Sequence, residues 1–198
     1  MYFWRKMSKE QQEYILKLRQ LEHRPWHCPP HLQNNKVRFH ITASCYEHKK
    51  IIGKTNNRIK EFELNLLKLL DNISEEIYAW VILPNHYHIL LKSYDIRTVI
   101  KSLGKLHGRK SFDWNGEDKK RGRKVWHNML EHGIKSDRHF WATMNYIHNN
   151  PIKHGYVKKW EDWKFSSAKK FLNEIGIDKA KIIWKEYNIN KMGDWDIY

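Results

Sequence analysis

Apolar and polar residues alternate from Val37 to Tyr46 (VRFHITASCY), a period of two that predicts a β-strand. Over 55–73 the period lengthens to that of a helix. Ile59, Phe62, Leu66 and Leu69 share one face, Leu67, Leu70 and Ile73 widen it, and Thr55 or Asn56 suits the N-terminal cap. Residues 76–83 (EIYAWVIL) and 86–92 (HYHILLK) read as two strands. The Pro84-Asn85 connection between them is short enough to force an antiparallel hairpin. A helix over 96–107, a polar loop over 108–124 and a strand over 125–132 follow. A last helix starts at Ser136 or Asp137 and ends near Asn149, ahead of Pro151. Before all of this, a short helix is expected over 9–21, broken by the three prolines of HRPWHCPPHLQNN.

The order β-α-β-β-α-β-α predicts an α+β domain of ferredoxin-like or RRM-like type, an antiparallel sheet with helices packed on one face. We expect an N-terminal arm over 1–35, a main domain over 36–155 and a tail over 156–198 packed on it.

Charge narrows the partner. Thirty-seven Lys and Arg against 22 Asp and Glu give +15, a surface that attracts phosphates and releases their counterions. Ten Trp, ten Tyr and seven Phe accompany that charge, and aromatic rings among cations suit single strands, whose bases stack on them. Most of these rings nonetheless belong to the core. Lys119, Lys120, Arg121, Arg123 and Lys124 form a dense basic run, read as a set of phosphate contacts. No apolar run comes near the roughly 20 residues of a membrane helix, and the polar start argues against a signal peptide. A cytoplasmic protein is expected, near the nucleoid if DNA is the partner. Cys28 and Cys45 are expected to be reduced. His27, Cys28 and His31 lack the second ligand pair that structural zinc needs. Trp160 and Trp163 read as core residues or as residues that dock the tail, with stacking on a flipped base as the alternative.

The candidate chemistry lies in two places. His86 and His88 alternate on a strand, so their imidazoles share a face and can converge on one ion. An HxH pair alone more often marks two surface histidines. On the last helix His139, Thr143, Tyr146 and Asn150 fall on one face, while Phe140, Met144 and Ile147 form another that buries. Tyr146 can thus be something other than a plain core tyrosine, one turn from a carbonyl oxygen on Asn150, but spacing alone favours a tyrosine packed at the domain edge with Asn150 as a C-terminal residue of the helix.

WVILPNHYHILLK (80–92), YIHNNPIKHGYV (146–157) and DWKFSSA (162–168) together resemble three blocks of the REP-associated tyrosine transposases, single-tyrosine enzymes of the HUH class. The resemblance spans roughly 36–171 and implies that the HxH strand is central in the sheet. It implies Tyr146 as nucleophile, with His86, His88 and Asn150 as ligands of Mg²⁺ or Mn²⁺. Ligand chemistry by itself would favour Mn²⁺ or Zn²⁺, because imidazole suits softer ions. The implied activity is metal-dependent cutting and rejoining of single-stranded hairpin DNA through a 5′-phosphotyrosine, by a monomer and with no small-molecule cofactor. Two rival readings stay open: a non-catalytic hairpin-DNA binder on the same scaffold, and an RNA-directed basic protein.

Overall fold

The computed structural model describes residues 37–189, together with residues 8–11, 13, 14 and 17. The chain separates into two units, 1–35 and 36–198. In the first, the helix expected over 9–21 lies only partly within the described residues, and His27, Cys28 and His31 lie outside them. All that follows concerns the second unit.

Among the described residues β1 (Arg38–Ser44), β2 (Glu76–Ile82), β3 (His86–Lys92) and β4 (Leu130–Gly133) form one antiparallel sheet in the order β2-β3-β1-β4. The expected sheet is therefore present, with the HxH strand β3 in a central position. Helices α1 (Asn56–Asp71) and α2 (Ile96–Glu117) supply the crossovers, and α3 (Asp137–Lys153), α4 (Ala168–Ile175) and α5 (Ile177–Glu186) follow β4. Thr55 caps α1 by accepting from the Arg58 amide, as its position in the sequence suggested.

Strand alternation sends the sheet's two faces to different cores. Phe39, Ile41, Ala43, Tyr87, Ile89 and Leu91 pack with Phe62 and Leu66 of α1 and with Leu103 and Trp114 of α2. Ala79, Val81 and Leu90 point the other way, to Phe140, Met144 and Ile147 of α3 and Phe171 of α4. Helices thus cover both faces rather than one. The α3 apolar stripe read from the sequence has to bury somewhere, and the only sheet surface left is the one that also carries the histidines.

Three boundaries differ from the sequence reading. Helix α2 continues to Glu117, ten residues past the expected end. His107, Lys110 and Trp114 continue its buried face, so the segment taken for a loop is helical as far as 117. Strand β4 is shorter than 125–132. Residues 125–129 precede it, joined by a single bridge from Trp126 to Cys45, the residue just past β1. Helix α3 runs past Pro151 to Lys153. A proline this close to a C-terminus removes one hydrogen bond. The end is then closed by His154, Gly155 and Tyr156 amides donating to the carbonyls of Asn150, Ile152 and Pro151, with Gly155 at φ +71°.

Arg58 and Asp118 tie the outer layer together. Arg58, at the start of α1, donates to Asp118 at 2.7 Å and to the Ile51 carbonyl at 3.3 Å, and lies over the Trp114 ring. Asp118, just past α2, also accepts from Lys54 at 2.6 Å and Arg123 at 2.9 Å. Its side chain is 2% exposed, and these cations, Arg58 foremost, hold its carboxyl well below the usual carboxylate range. Breaking one partner of a buried ion cluster strands the others. We predict that Asp118→Asn lowers unfolding free energy by about 3 kcal/mol, read from urea denaturation. A loss under about 0.5 kcal/mol, the size of an ordinary surface change, would show that the cluster is dispensable.

Candidate active site

The site is built on the β1–β3 face beneath α3. Register places Ser44 opposite His86, Thr42 opposite His88 and His40 opposite Leu90. His40, Thr42, His86 and His88 therefore share a face, and all four are buried. Helix α3 lays Thr143, Tyr146 and Asn150 over them. Their 100° rotation per residue keeps these three together, while Phe140, Met144 and Ile147 fill the neighbouring apolar stripe.

The chain thus brings Tyr146, His86, His88 and Asn150 into one cluster. Asn150 Oδ1 stands 2.9 Å from His86 Nε2. The Tyr146 ring lies edge-on to His88 at 5.1 Å between centroids, and the His86 and His88 rings are 5.1 Å apart. Tyr146 is 1% exposed, and its hydroxyl bonds to nothing among the described residues. A buried hydroxyl without a partner costs about 1–3 kcal/mol, a cost tolerated when a site uses the group for something else.

Local bonds set the directions of the imidazoles. The Asn85 amide nitrogen donates to the His48 carbonyl at 3.2 Å, which leaves Asn85 Oδ1 to accept from His86 Nδ1 at 2.9 Å. A neutral His86 that donates from Nδ1 then turns the lone pair of Nε2 towards Asn150 Oδ1. Two acceptors 2.9 Å apart repel each other unless a proton or a cation lies between them. On the other ring, His88 Nδ1 faces His40 Nε2 at 3.2 Å. In the tautomer in which His88 donates to His40, its Nε2 turns its lone pair into the cluster. Burial, followed by His154 and Lys153, pushes the His88 pKa down to about 3, so the ring is neutral and fit to ligate at physiological pH.

These donors fit a divalent ion: two imidazole nitrogens and an amide oxygen, with the Asn150 amide nitrogen unbonded among the described residues. No three His, Cys, Asp or Glu side chains gather around one point among the described residues. The third protein ligand would therefore have to be the Asn150 oxygen.

Sequence reasoning missed three residues here. His40 orients His88, and the strict alternation of Arg38, His40, Thr42 and Ser44 with apolar residues already marked a polar inner face on β1. His154 places its ring 4.9 Å from His86, and Lys153 sets its ammonium 5.4 Å from the Tyr146 ring centre. Both depend on α3 continuing past Pro151. His139 stands apart, with its Nδ1 accepting from the Lys135 amide.

The basic run is divided. Arg123 is committed to Asp118 and Asn115, Arg121 donates to the Phe112 carbonyl and stacks on its ring, and Lys124 lies over the Tyr46 ring. Lys119 and Lys120 are exposed. Trp163 donates to the Ile82 carbonyl and Trp160 to Asn149, while Asn145 holds the Ile183 and Tyr187 carbonyls. Cys45 is buried, and burial raises its thiol to about 11. Among the described residues no helix is long and apolar enough to cross a membrane.

Comparison with known proteins gives a consistent picture. The chain is 33% identical over 101 residues to the REP-associated tyrosine transposase of Escherichia coli, which covers 46% of this chain and 53% of that protein. The chain therefore spans about half the length of that relative. It is 32% identical over 122 residues to a Haemophilus influenzae protein assigned to the same family, covering 55% of this chain and 68% of the relative. The structure of a REP-associated tyrosine transposase bound to a REP hairpin superposes with a TM-score of 0.56 at 20% identity, over 73% of this chain and 86% of that one. At that identity the superposition speaks for the fold. No family model matches the chain.

Burial also sets a pH dependence. His88 and His148 are pushed down to about 3 and His107 to about 4, each chiefly by burial. The unfolded chain takes up these protons first as pH falls below about 6.5, so the neutral rings stabilise the fold above that value. Stability should fall between about pH 6.5 and pH 4, by up to about 1.4 kcal/mol per pH unit for each ring. Melting temperatures at pH 7 and pH 5 test this, and His107→Phe should show the shallower slope. Equal slopes would remove His107 from the account.

Proposed function

This chain belongs to the REP-associated tyrosine transposases, and from that premise we propose that it cuts and rejoins single-stranded DNA at hairpins through a phosphotyrosine on Tyr146. The observation that carries the proposal is the Tyr146 hydroxyl. It is buried and unbonded among the described residues, and its ring lies against His88 within the His86–Asn150 cluster. A tyrosine serving only to pack would bond its hydroxyl or leave it in water.

In the proposed reaction the Tyr146 oxygen attacks the scissile phosphorus. The bond to the 3′ oxygen breaks, and the phenolic proton passes to that oxygen. The products are a 5′-phosphotyrosine and a free 3′-hydroxyl. An incoming 3′-hydroxyl reverses the step, returning its proton to the departing phenol. The phosphoester bond is exchanged and never hydrolysed, so strand joining needs no external energy. A phenol, with its ordinary pKa of about 10, is a weak nucleophile at neutral pH. Positive charge favours the anion, and the Lys153 ammonium beside the ring supplies some of it.

His86, His88 and Asn150 would hold Mg²⁺ or Mn²⁺, which when bound supplies charge that polarises the scissile phosphate. His40 keeps the His88 ring in place, and Asn85 does the same for His86. The REP hairpin held by the structural relative supports a hairpin as substrate, and the charge of +15 supports nucleic acid in general.

The test is a denaturing gel of labelled single-stranded hairpins incubated with the protein and Mn²⁺. The parent should give a protein–DNA adduct that survives denaturation. Tyr146→Phe should give none, while binding hairpins within about twofold of the parent. His86→Ala should lose at least a hundredfold in adduct formation, in line with removal of a ligand or general catalyst. Adduct in the Tyr146→Phe protein would exclude this tyrosine. Tight hairpin binding without adduct from the parent would favour the non-catalytic binder.

A further inference from the structure

A second constellation of charge lies one loop away from the active site. Between β1 and α1, residues 46–54 turn back across the edge of the β2–β3 hairpin. Gly53 makes that approach possible: a Cβ there would meet Pro84 Cβ at 2.5 Å, and the Gly53 amide donates to the Pro84 carbonyl. Facing this loop is the turn after α2, in which Gly122 takes φ +82°. Between the two opens a cleft of about 290 Å³, lined by Lys49, Lys50, Ile51, Lys54, Asp118, Lys120 and Arg123.

The cleft is built with an excess of cations. Among the described residues, Lys49, Lys50, Lys54, Lys120 and Arg123 of the lining, with Arg58 beside Asp118, meet three carboxylates, Glu47, Glu117 and Asp118. One of these, Asp118, is already shared by Lys54, Arg58 and Arg123. Three cations held around one buried carboxylate repel one another, and an anion entering the cleft relieves that repulsion. Lys50 and Lys120 line the cleft without a carboxylate partner among the ion pairs just named. Among the described residues no aromatic ring lines the cleft, and its polar lining groups are cationic apart from Asp118, which suits a phosphate better than a stacked base.

Position says which phosphate. The Cys45 amide donates to the Asn85 carbonyl, and Asn85 in turn bonds both His48 and His86. The Lys50 ammonium lies 5.6 Å from the centre of the Tyr156 ring, two residues beyond His154, whose own ring is against His86. A positive track therefore leads from the cleft to the end of α3 beside Tyr146.

We propose that this cleft holds the phosphodiester backbone of the single strand flanking the cleaved position, with Lys50 and Lys120 as its principal contacts. The proposal rests on the single-stranded substrate argued above. It adds a binding site outside the reacting cluster and outside most of the 119–124 run.

The test uses the full chain and a labelled oligothymidine, whose uniform sequence reports backbone binding alone. Lys50→Ala/Lys120→Ala leaves the Asp118 cluster intact, so the fold is retained. Each lost phosphate contact on a single strand lowers the slope of log K against log salt by about 0.7. The double variant should therefore show a slope smaller by about 1.4 and weaker binding at low salt. Lys105→Ala/Lys170→Ala, on exposed helix surfaces, should keep the parent slope. An unchanged slope in the cleft variant overturns the proposal, as does an equal loss in the remote one. Inorganic phosphate binding that depends on Lys50, with unchanged oligothymidine binding, would make this a small-anion site and reject the strand. Adduct formation by the parent on hairpins is read separately. Failure there defeats the catalytic reading, whereas an unaltered salt slope defeats only the cleft.

Discussion

The structure depends on covering a polar sheet face with a helix. The inner faces of β1 and β3 carry His40, Thr42, His86 and His88, and a buried polar group without a partner is costly. Helix α3 makes the burial tolerable by bringing matched polar groups on one stripe and apolar ones on the next. Asn150 meets His86, His40 meets His88, and Leu90 is left to Phe140 and Met144. The hydroxyl of Tyr146 is left over. In a core optimised only for stability that position would be phenylalanine, with nothing stranded. Beneath α3 the Tyr146 hydroxyl and the Asn150 amide nitrogen are both buried without partners among the described residues, so stability has been given up at the two helix residues for which roles in the reaction are proposed.

Burial also settles the charge state of the cluster. Taken out of water, His88 stays neutral far below its ordinary range, and neutral imidazole is the form that ligates. The same low polarity would make an unpaired cation expensive. Lys153 avoids that cost by standing at the exposed end of α3 and reaching towards the Tyr146 ring. Positive charge is thus kept at the rim and lone pairs inside, the order that the proposed approach of a phosphate from solvent would need.

Much of this was legible in the residues. The hairpin at Pro84-Asn85, the period of α1 and the shared face of Tyr146 and Asn150 all follow from spacing, because each depends on neighbours within a few positions. The extension of α2 did not stand out. His107 and Lys110 occupy positions of its buried stripe where apolar residues are expected. Their burial rests on distant partners, Tyr87 and Trp126 for His107 and Glu61 for Lys110. Likewise, the basic run looked uniform in sequence, yet Arg123 is drawn off by Asp118 and Arg121 by Phe112, pairings that only the folded turn creates. Polarity in a sequence records what a residue can bond to, and only the fold decides whether that partner is water, protein or DNA.

The proposed phosphotyrosine would serve strand joining only if water did not consume it before the second 3′-hydroxyl arrived. At 1% exposure Tyr146 is shielded from bulk water, but by the same token it cannot meet a phosphodiester without displacement of what lies over it. Helix α3 is poorly suited to that displacement as a whole. Asn145 ties it to the carbonyls of Ile183 and Tyr187, and His148 ties it to Ser167, which in turn bonds the Trp80 backbone. These bonds hold the middle of the helix from behind, while exposure returns only at Lys153 and Gly155. Access to the tyrosine is therefore a matter for the C-terminal turn of α3, where Pro151 has already removed one of the bonds that would keep it rigid.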